Sequence, residues 1–452
     1  MRLGRPDPNK PVKPPSSPEY RAMHMKLGYL AIAVIINVIG FSILFPIAPY
    51  YVSRALGPGV DIHDPRIAEL SAWLTAIYAV MQFLFAPIWG RLSDRIGRKP
   101  ILIGSLIGDA IFYTMFGLSH ALVPLFIARV LAGVFSSATL AVAQAYVADV
   151  TPPDYRAQGL GMIGASFGVG FILGPALGGG LGSIGLSIPL FVAAALALVN
   201  LAYIVKYLPE SRPAGTDAEP TGPPAGVGAR LGAMAGAVTG SMGYMYLLTF
   251  AVTFAFGNLE GTFTSYLMQQ MGFSSKGSVA AQGWIFTYIG FIIVLVQGGA
   301  IRPMVKKYGE APLVLFGIAS MAVGFLLFPL TKLAPLHAQL PILMLGPMVL
   351  ISVGNGFNTP ALRALISRKA SSSTQGATLG LSASFDSLAR AVGPATAGYI
   401  YDKISPQAPY WCAGIVMGLS LLIALSNLRD LKAASAVSVQ TAVEEMVITP
   451  AE

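Results

Sequence analysis

Twelve apolar stretches recur along this 452-residue chain, and a run of about 20 such residues is long enough to cross the hydrocarbon core of a bilayer as a helix. They fall near residues 28–50, 71–90, 100–119, 121–148, 158–181, 186–207, 243–268, 281–303, 311–331, 339–366, 377–400 and 408–427. Within lipid every backbone polar group must be paired inside a helix or a closed barrel. Barrel strands would show as alternating segments of about ten residues, whereas these runs are continuous. The spans therefore read as helices and the fold class as all-α integral membrane. Charged residues make up 11% of the chain and apolar residues 54%, against about 25% charged in a soluble domain. The first 27 residues are polar and Pro-rich, and the apolar run that follows is too long for the core of a cleavable signal peptide.

Lys and Arg set the orientation. With both chain ends on one side, 22 of the 29 basic residues fall on that side and five on the other, with Arg129 and Arg390 inside spans. The positive-inside rule then places both termini in the cytoplasm. The net charge of +9 is thereby explained as topology and gives no ground for a nucleic-acid partner. The one cysteine, Cys412, excludes a disulfide framework and a cysteine-based metal site; no metal or cofactor is expected.

Six spans stand on each side of PESRPAGTDAEPTGPPAGVGARLGAMAG, whose Pro, Gly and small residues read as a flexible linker. The expected organisation is a cytoplasmic tail (1–27), a six-helix bundle (28–208), a cytoplasmic linker (209–242), a second six-helix bundle (243–427) and a cytoplasmic tail (428–452). Gly161 lies 13 residues before Gly174–Pro175, and Gly380 lies 13 before Gly393–Pro394. A shift of 212 likewise pairs Gly97 with Gly309 and Pro100 with Pro312. Such parallel half-repeats are the plan of transporters that rock about a central site.

Between the second and third spans lies GRLSDRIGRKP, with one acid among four bases. The bases anchor a short loop at an anionic membrane face, and the single carboxylate can accept charge-assisted hydrogen bonds. The stretch resembles the loop between helices 2 and 3 of the major facilitator superfamily, G-x-L-[SA]-D-R-x-G-R-[KR], through Gly90, Asp94, Arg95, Gly97, Arg98 and Lys99. That resemblance implies a twelve-helix fold in two pseudo-symmetric halves. It also implies a conformational latch in which Asp94 meets the start of the eleventh span and Arg95 or Arg98 reaches Asp149. Lys306 stands where Asp94 would repeat in the second half, so the latch is expected once.

The fifth span, GMIGASFGVGFILGPALGG, carries Gly161, Gly170, Gly174, Pro175, Gly178 and Gly179. Gly170, Gly174 and Gly178 form one smooth stripe that admits a close neighbour, and Pro175 removes a backbone hydrogen bond. The pattern resembles the superfamily's antiporter motif, found in proton-coupled drug exporters. In the fourth span, IARVLAG resembles the exporters' R-x-x-x-G through Arg129 and Gly133; this arginine either tunes proton binding on a nearby acid or snorkels to the membrane surface. The likeness is nearest to the tetracycline/proton antiporter branch. Asn37 stands where that branch carries an Asp, however, and Asp109 lies about one turn before its third-span acid.

Antiport needs a protonatable group within the spans, and Asp109, Glu260 and Asp386 are the acids there. Glu260 lies among Phe254, Phe256, Phe263 and Tyr266, where desolvation penalises the charged form as a proton carrier requires. Asp386 and Arg390 are spaced i, i+4 and are expected to pair. The expected coupling set is Glu260, Asp109, Arg129 and Asp386. Asn37, Phe41, Gln144, Phe256, Glu260, Phe263, Trp284, Tyr288, Asn355 and Asn358 are the candidate substrate contacts, since an apolar cavity with few polar hooks suits hydrophobic compounds.

The function these readings favour is a proton-driven exporter of amphipathic, drug-like compounds working as a monomer by alternating access. The alternative within the same fold is a metabolite exporter or facilitator without proton coupling. A polytopic membrane enzyme is disfavoured, because the chain carries no Walker-type loop or HExxH motif. The absence of an N-x-[ST] sequon outside the spans suits a bacterial inner membrane, with other cell membranes also compatible.

Overall fold

The first expected span does not run unbroken. In the computed structural model, which describes residues 18–61, 63–211, 227–270, 276–333, 340–370 and 375–435, α1 (Pro18–Ser42) stops at a turn and the chain restarts as α2 (Ala48–Leu56). Pro46 and Pro49 explain the break, since neither has an N–H to continue the helical ladder. The carbonyl of Phe45, four residues before Pro49, is left free by this, and the Thr264 hydroxyl donates to it at 2.9 Å.

The other spans follow hydropathy closely. They are α3 (Pro65–Ile96), α4 (Arg98–Leu118), α5 (Leu122–Val150), α6 (Pro153–Ile184) and α7 (Ile188–Tyr207) in the first half. A short helix, α8 (Val227–Val238), lies in the connecting segment. The second half holds α9 (Gly243–Gln270), α10 (Lys276–Leu295), α11 (Ile301–Tyr308), α12 (Glu310–Leu327), α13 (Leu340–Lys369), α14 (Gln375–Lys403) and α15 (Ala408–Ser426). A π-helical turn, Val296–Ala300, joins α10 to α11 within one span. Among the described residues nine helices are long and apolar enough to cross a membrane, or ten if α8 and α9, which meet at a 115° bend, count as one span. The more polar α13 and α14, of 30 and 29 residues, complete the twelve.

The halves meet along two seams, α3 against α14 and α6 against α10. The basic face of the bundle carries the α3–α4 loop and the ends of α7 and α15. Toward the opposite face the seams are tight. A Cβ on Gly179 of α6 would lie 2.6 Å from Gly283 Cα of α10, and one on Gly398 of α14 would lie 2.6 Å from Ala72 Cβ of α3. Gln282 donates to the Tyr50 hydroxyl at 3.1 Å, and Gln269 to the Asp64 carbonyl at 2.9 Å. Toward the basic face, Gly161 and Gly164 of α6 have nothing within 4 Å of an added Cβ. The glycines of the fifth span thus divide by face. Gly170, Gly174 and Gly178 seat α1 against Val38, Ser42 and the Ile43 carbonyl, while Gly179 receives the other half.

The loop that opened the comparison with a latch is a clasp at the basic face. Arg98 is buried and binds Asp149 at 2.9 Å and Asp94 at 2.7 Å. It also donates to the Ser93 hydroxyl at 2.6 Å. Of the two arginines expected to reach Asp149 it is Arg98, since Arg95 is exposed. Gly97, at φ 104°, makes the turn into α4, and the Glu210 carboxylate accepts from the Arg98 and Lys99 amides at 2.9 and 3.0 Å. This caps the positive end of the helix.

The second half repeats this clasp with its charges exchanged, which corrects the expectation that it occurs once. Gly309, at φ 78°, makes the corresponding turn. Glu310 then stands at the place of Arg98 and pairs with Arg368, at the end of α13, at 2.7 Å. Ser435, beyond α15, both caps the Glu310 amide and donates to its carboxylate, at 3.0 and 2.9 Å. Removing one partner of a buried ion pair strands the other charge and costs about 3–5 kcal/mol. Arg98→Ala and Arg368→Ala are therefore both expected to lower the unfolding temperature in detergent markedly. Exchanging the residues of one pair (Glu310→Arg with Arg368→Glu) should restore most of the loss. Failure of that exchange to recover stability would show that the clasps do not act through charge.

Candidate functional site

Four residues separated widely in sequence converge inside the first half. The Asn37 amide of α1 donates to Asp109 Oδ2 of α4 at 3.0 Å. Asp109 is 1% exposed, and its Oδ1 has no partner among the described residues. Arg129 of α5 is buried as well. It donates from Nε to the Leu74 carbonyl at 3.0 Å and lies 4.0 Å over the Tyr78 ring and 5.8 Å from that of Phe41. Asp109 acts electrostatically on Arg129, Tyr78 and Tyr113. Arg129 is therefore no snorkelling surface residue but is buried within the half, and Asp109 points into the half despite lying on a peripheral span. Phe41 stacks on Tyr78 at 5.1 Å, and Tyr78 donates to Ser136 at 2.7 Å.

Glu260 sits differently. It is half-buried on α9, on the wall of a narrow crevice formed with Leu44, Phe45 and Pro49 of the broken first span, Ser71 and Thr75 of α3, and Thr264. It carries no hydrogen bond or ion pair among the described residues. The side chain thus faces the opposite half, one turn from the Thr264 that bonds the Phe45 carbonyl. Arg390 of α14 is within electrostatic range of Glu260 and of Tyr78. Its guanidinium lies 5.7 Å from the Phe167 ring of α6, also across the seam.

The pairing expected of Asp386 with Arg390 is corrected. Asp386 is bound by Arg363 of α13 at 3.1 Å and by the Thr253 hydroxyl at 2.7 Å. One turn of helix brings residues i and i+4 near each other, but Arg390 turns to the seam while Asp386 is held by two neighbouring helices. Three candidate substrate contacts also lie elsewhere than expected. Phe263 is fully buried against Phe286 and Phe328, in the core of the second half. Trp284 is 66% exposed on the outside of the bundle. Asn358 is buried in the α12–α13 contact, its amide on Met321 Sδ at 3.5 Å and its side chain against Gly317. Gln144 is exposed, and Asn355 is half-buried and accepts from Thr359 at 3.4 Å.

What sequence reasoning missed is an aromatic seam. Phe45 lies 5.5 Å from Phe171 and 5.9 Å from Phe286, and Phe171 lies 6.3 Å from both Phe167 and Phe256. Phe41 meets Phe45 edge-on at 5.2 Å. The seam therefore links α1 and α6 of one half to α9 and α10 of the other. Phe167 and Phe171 are spaced i, i+4 on the glycine-rich span, and that spacing was the available signal. Tyr288 is half-buried against the hydrophobic core.

The family model described as Major Facilitator Superfamily matches residues 30–302 and 245–447. The chain belongs to the major facilitator superfamily. It is a multi-pass membrane transporter and not an enzyme. Over 395 residues it is 30% identical to the tetracycline resistance protein, class C, of Escherichia coli, covering 87% of this chain and 94% of that one. It is 28% identical over 430 residues to the human major facilitator superfamily domain-containing protein 10, covering 87% and 92%. The crystal structure of the human organic anion transporter MFSD10 (TETRAN) superposes with a TM-score of 0.66 at 25% identity, over 90% of this chain and all of that one.

Proposed function

We propose that this transporter exports amphipathic and hydrophobic organic compounds in exchange for protons by alternating access, with its basic face in the cytoplasm. The observation that carries the reading is Glu260, a carboxyl at the seam of the halves with no structural hydrogen bond or ion pair among the described residues. Such a group can gain or lose a proton without dismantling the fold, and its place opposite Phe45 makes its charge felt where the halves separate. Asp109 and Arg129, both buried in the first half, are a second set of charged groups that can respond to protonation. Asp386, held by Arg363 and Thr253, is assigned to structure. Phe41, Phe45, Phe171 and Phe256 supply the apolar wall against which a drug-like compound would lie. The tetracycline resistance proteins among its relatives support export of such compounds.

A second reading is favoured by Arg390, whose guanidinium has no carboxylate in ion-pair contact among the described residues and faces the seam: substrates bearing an acidic group would find a counterion there. Everted membrane vesicles test both readings. With the lumen acidified, the proposal expects fluorescent amphipathic compounds to accumulate inside and to leave when a protonophore is added. Accumulation confined to anionic members of the panel would favour the Arg390 reading. Flux that follows the compound's own gradient and ignores the protonophore would identify an uncoupled facilitator.

A further inference from the structure

Among the described residues of the connecting segment, the Arg230 side chain touches both halves. α8 is a surface helix, with Ala229, Leu231, Gly232, Ala233, Ala235 and Gly236 exposed. Arg230 and Met234, one turn apart, are its buried residues at 6% and 4% exposure. Arg230 Nη1 donates to the backbone carbonyl of Phe83 in α3 at 2.6 Å, and its guanidinium lies 4.2 Å over the Phe83 ring. Arg230 Nη2 donates to the Ser384 hydroxyl of α14 at 3.2 Å. Phe83 belongs to the first half and Ser384 to the second. Both lie on the α3–α14 seam, on the side of the basic face.

We propose that α8 is a removable pin: Arg230 holds the basic ends of the two halves together, and it must withdraw before the central site opens to that face. Three features argue for a pin and against a passive surface contact. The guanidinium is planar and offers a fork of donors, so one residue bridges two helices that a lysine could not span in the same way. Its Nε has no partner among the described residues, so the burial is incompletely satisfied, which lowers the cost of withdrawal. Contacts independent of α8 close the opposite face, through Thr264 to Phe45, Gln282 to Tyr50 and Gln269 to Asp64. The pin therefore acts at one end alone. Rocking the halves apart at the basic face separates α3 from α14, and Arg230 cannot keep both bonds through that motion. The sharp bend between α8 and α9 ties its withdrawal to the helix that carries Glu260. The connecting segment is thus a working part of the transport cycle, beyond its role as a tether.

Spin-label distance measurements on the full-length protein in nanodiscs test this without substrate. In a Cys412→Ser background, labels at exposed Ile96 and Tyr308 report on the basic face, and labels at exposed Leu118 and Ile404 report on the opposite face. Arg230→Ala, Arg230→Lys and Ser384→Ala are compared with the parent, each checked for a monodisperse, helical preparation. The expected result is a several-fold larger population at long Ile96–Tyr308 distance in Arg230→Ala and Arg230→Lys, a smaller rise in Ser384→Ala, and no lengthening at the opposite face. Because Ser384→Ala removes a single hydroxyl, it keeps the test open if the arginine variants fail to fold. Folded variants whose Ile96–Tyr308 distribution matches the parent would overturn the proposal.

Discussion

Gly283→Val is expected to hold the protein open at the face opposite the clasps and to reduce transport by more than tenfold. The reason is backbone against backbone. A Cβ on Gly283 would sit 2.5 Å from the Pro175 carbonyl and 2.7 Å from Gly179 Cα. No side chain at this contact can swing aside, so α6 and α10 must move apart. Overpacking of a close contact costs about 1–3 kcal/mol, and each 1.4 kcal/mol shifts a two-state ratio about tenfold. The open–closed balance at this face should therefore move by roughly 10- to 100-fold. The contact lies between the halves and not within either, so the variant should fold normally, and labels at Leu118 and Ile404 should report longer distances. A variant that transports normally would show that these halves do not close on the α6–α10 seam.

Glu260→Gln is expected to uncouple transport without unfolding the protein. Glutamine keeps the size and the polarity but cannot exchange a proton. Since Glu260 makes no hydrogen bond or ion pair among the described residues, little stability is at stake. Compound-driven proton movement should fall to background, while exchange of labelled for unlabelled compound survives and loses its dependence on pH. Asp109→Asn should behave in the opposite way. It takes the charge from the acceptor of the Asn37 amide in a site that also buries Arg129, and a hydrogen bond to a charged group contributes about 1.5–3 kcal/mol. Its main effect should be a lowered unfolding temperature. If Asp109→Asn is stable yet uncoupled while Glu260→Gln still moves protons, the coupling acid lies in the first half.

Hydropathy carried the architecture because lipid allows few alternatives. Most spans were visible as apolar runs of sufficient length, and the basic loops fixed which ends lie together. The break in the first span was legible in principle, since Pro46 and Pro49 stand three apart, but its use was not. The partner of the freed Phe45 carbonyl, Thr264, lies 219 residues away. Motif resemblance found the Arg98–Asp149 pair. It missed the second clasp because Glu310 and Arg368 carry the charges in reverse, which no residue-by-residue comparison of the halves detects. Facing was the recurrent difficulty. Trp284 and Phe286 are two residues apart on α10, yet one is 66% exposed and the other 1%. Period alone does not say which side of a helix meets lipid when both sides are apolar. Asn37 and Asp109 were each noted as departures from the tetracycline branch. Their hydrogen bond shows them as parts of one arrangement, which a single sequence cannot reveal across 72 residues.

The central claim is exchange of compound for proton, and the most direct measurement is made on the purified protein in liposomes enclosing a pH-sensitive dye. Amphipathic cations, tetracyclines, organic anions and neutral compounds are added one at a time, with and without an imposed pH gradient. At least one compound is expected to drive protons in the direction opposite to its own flux, and Glu260→Gln is expected to abolish this movement. Compounds that cross at the parent protein's full rate while internal pH stays flat would contradict it.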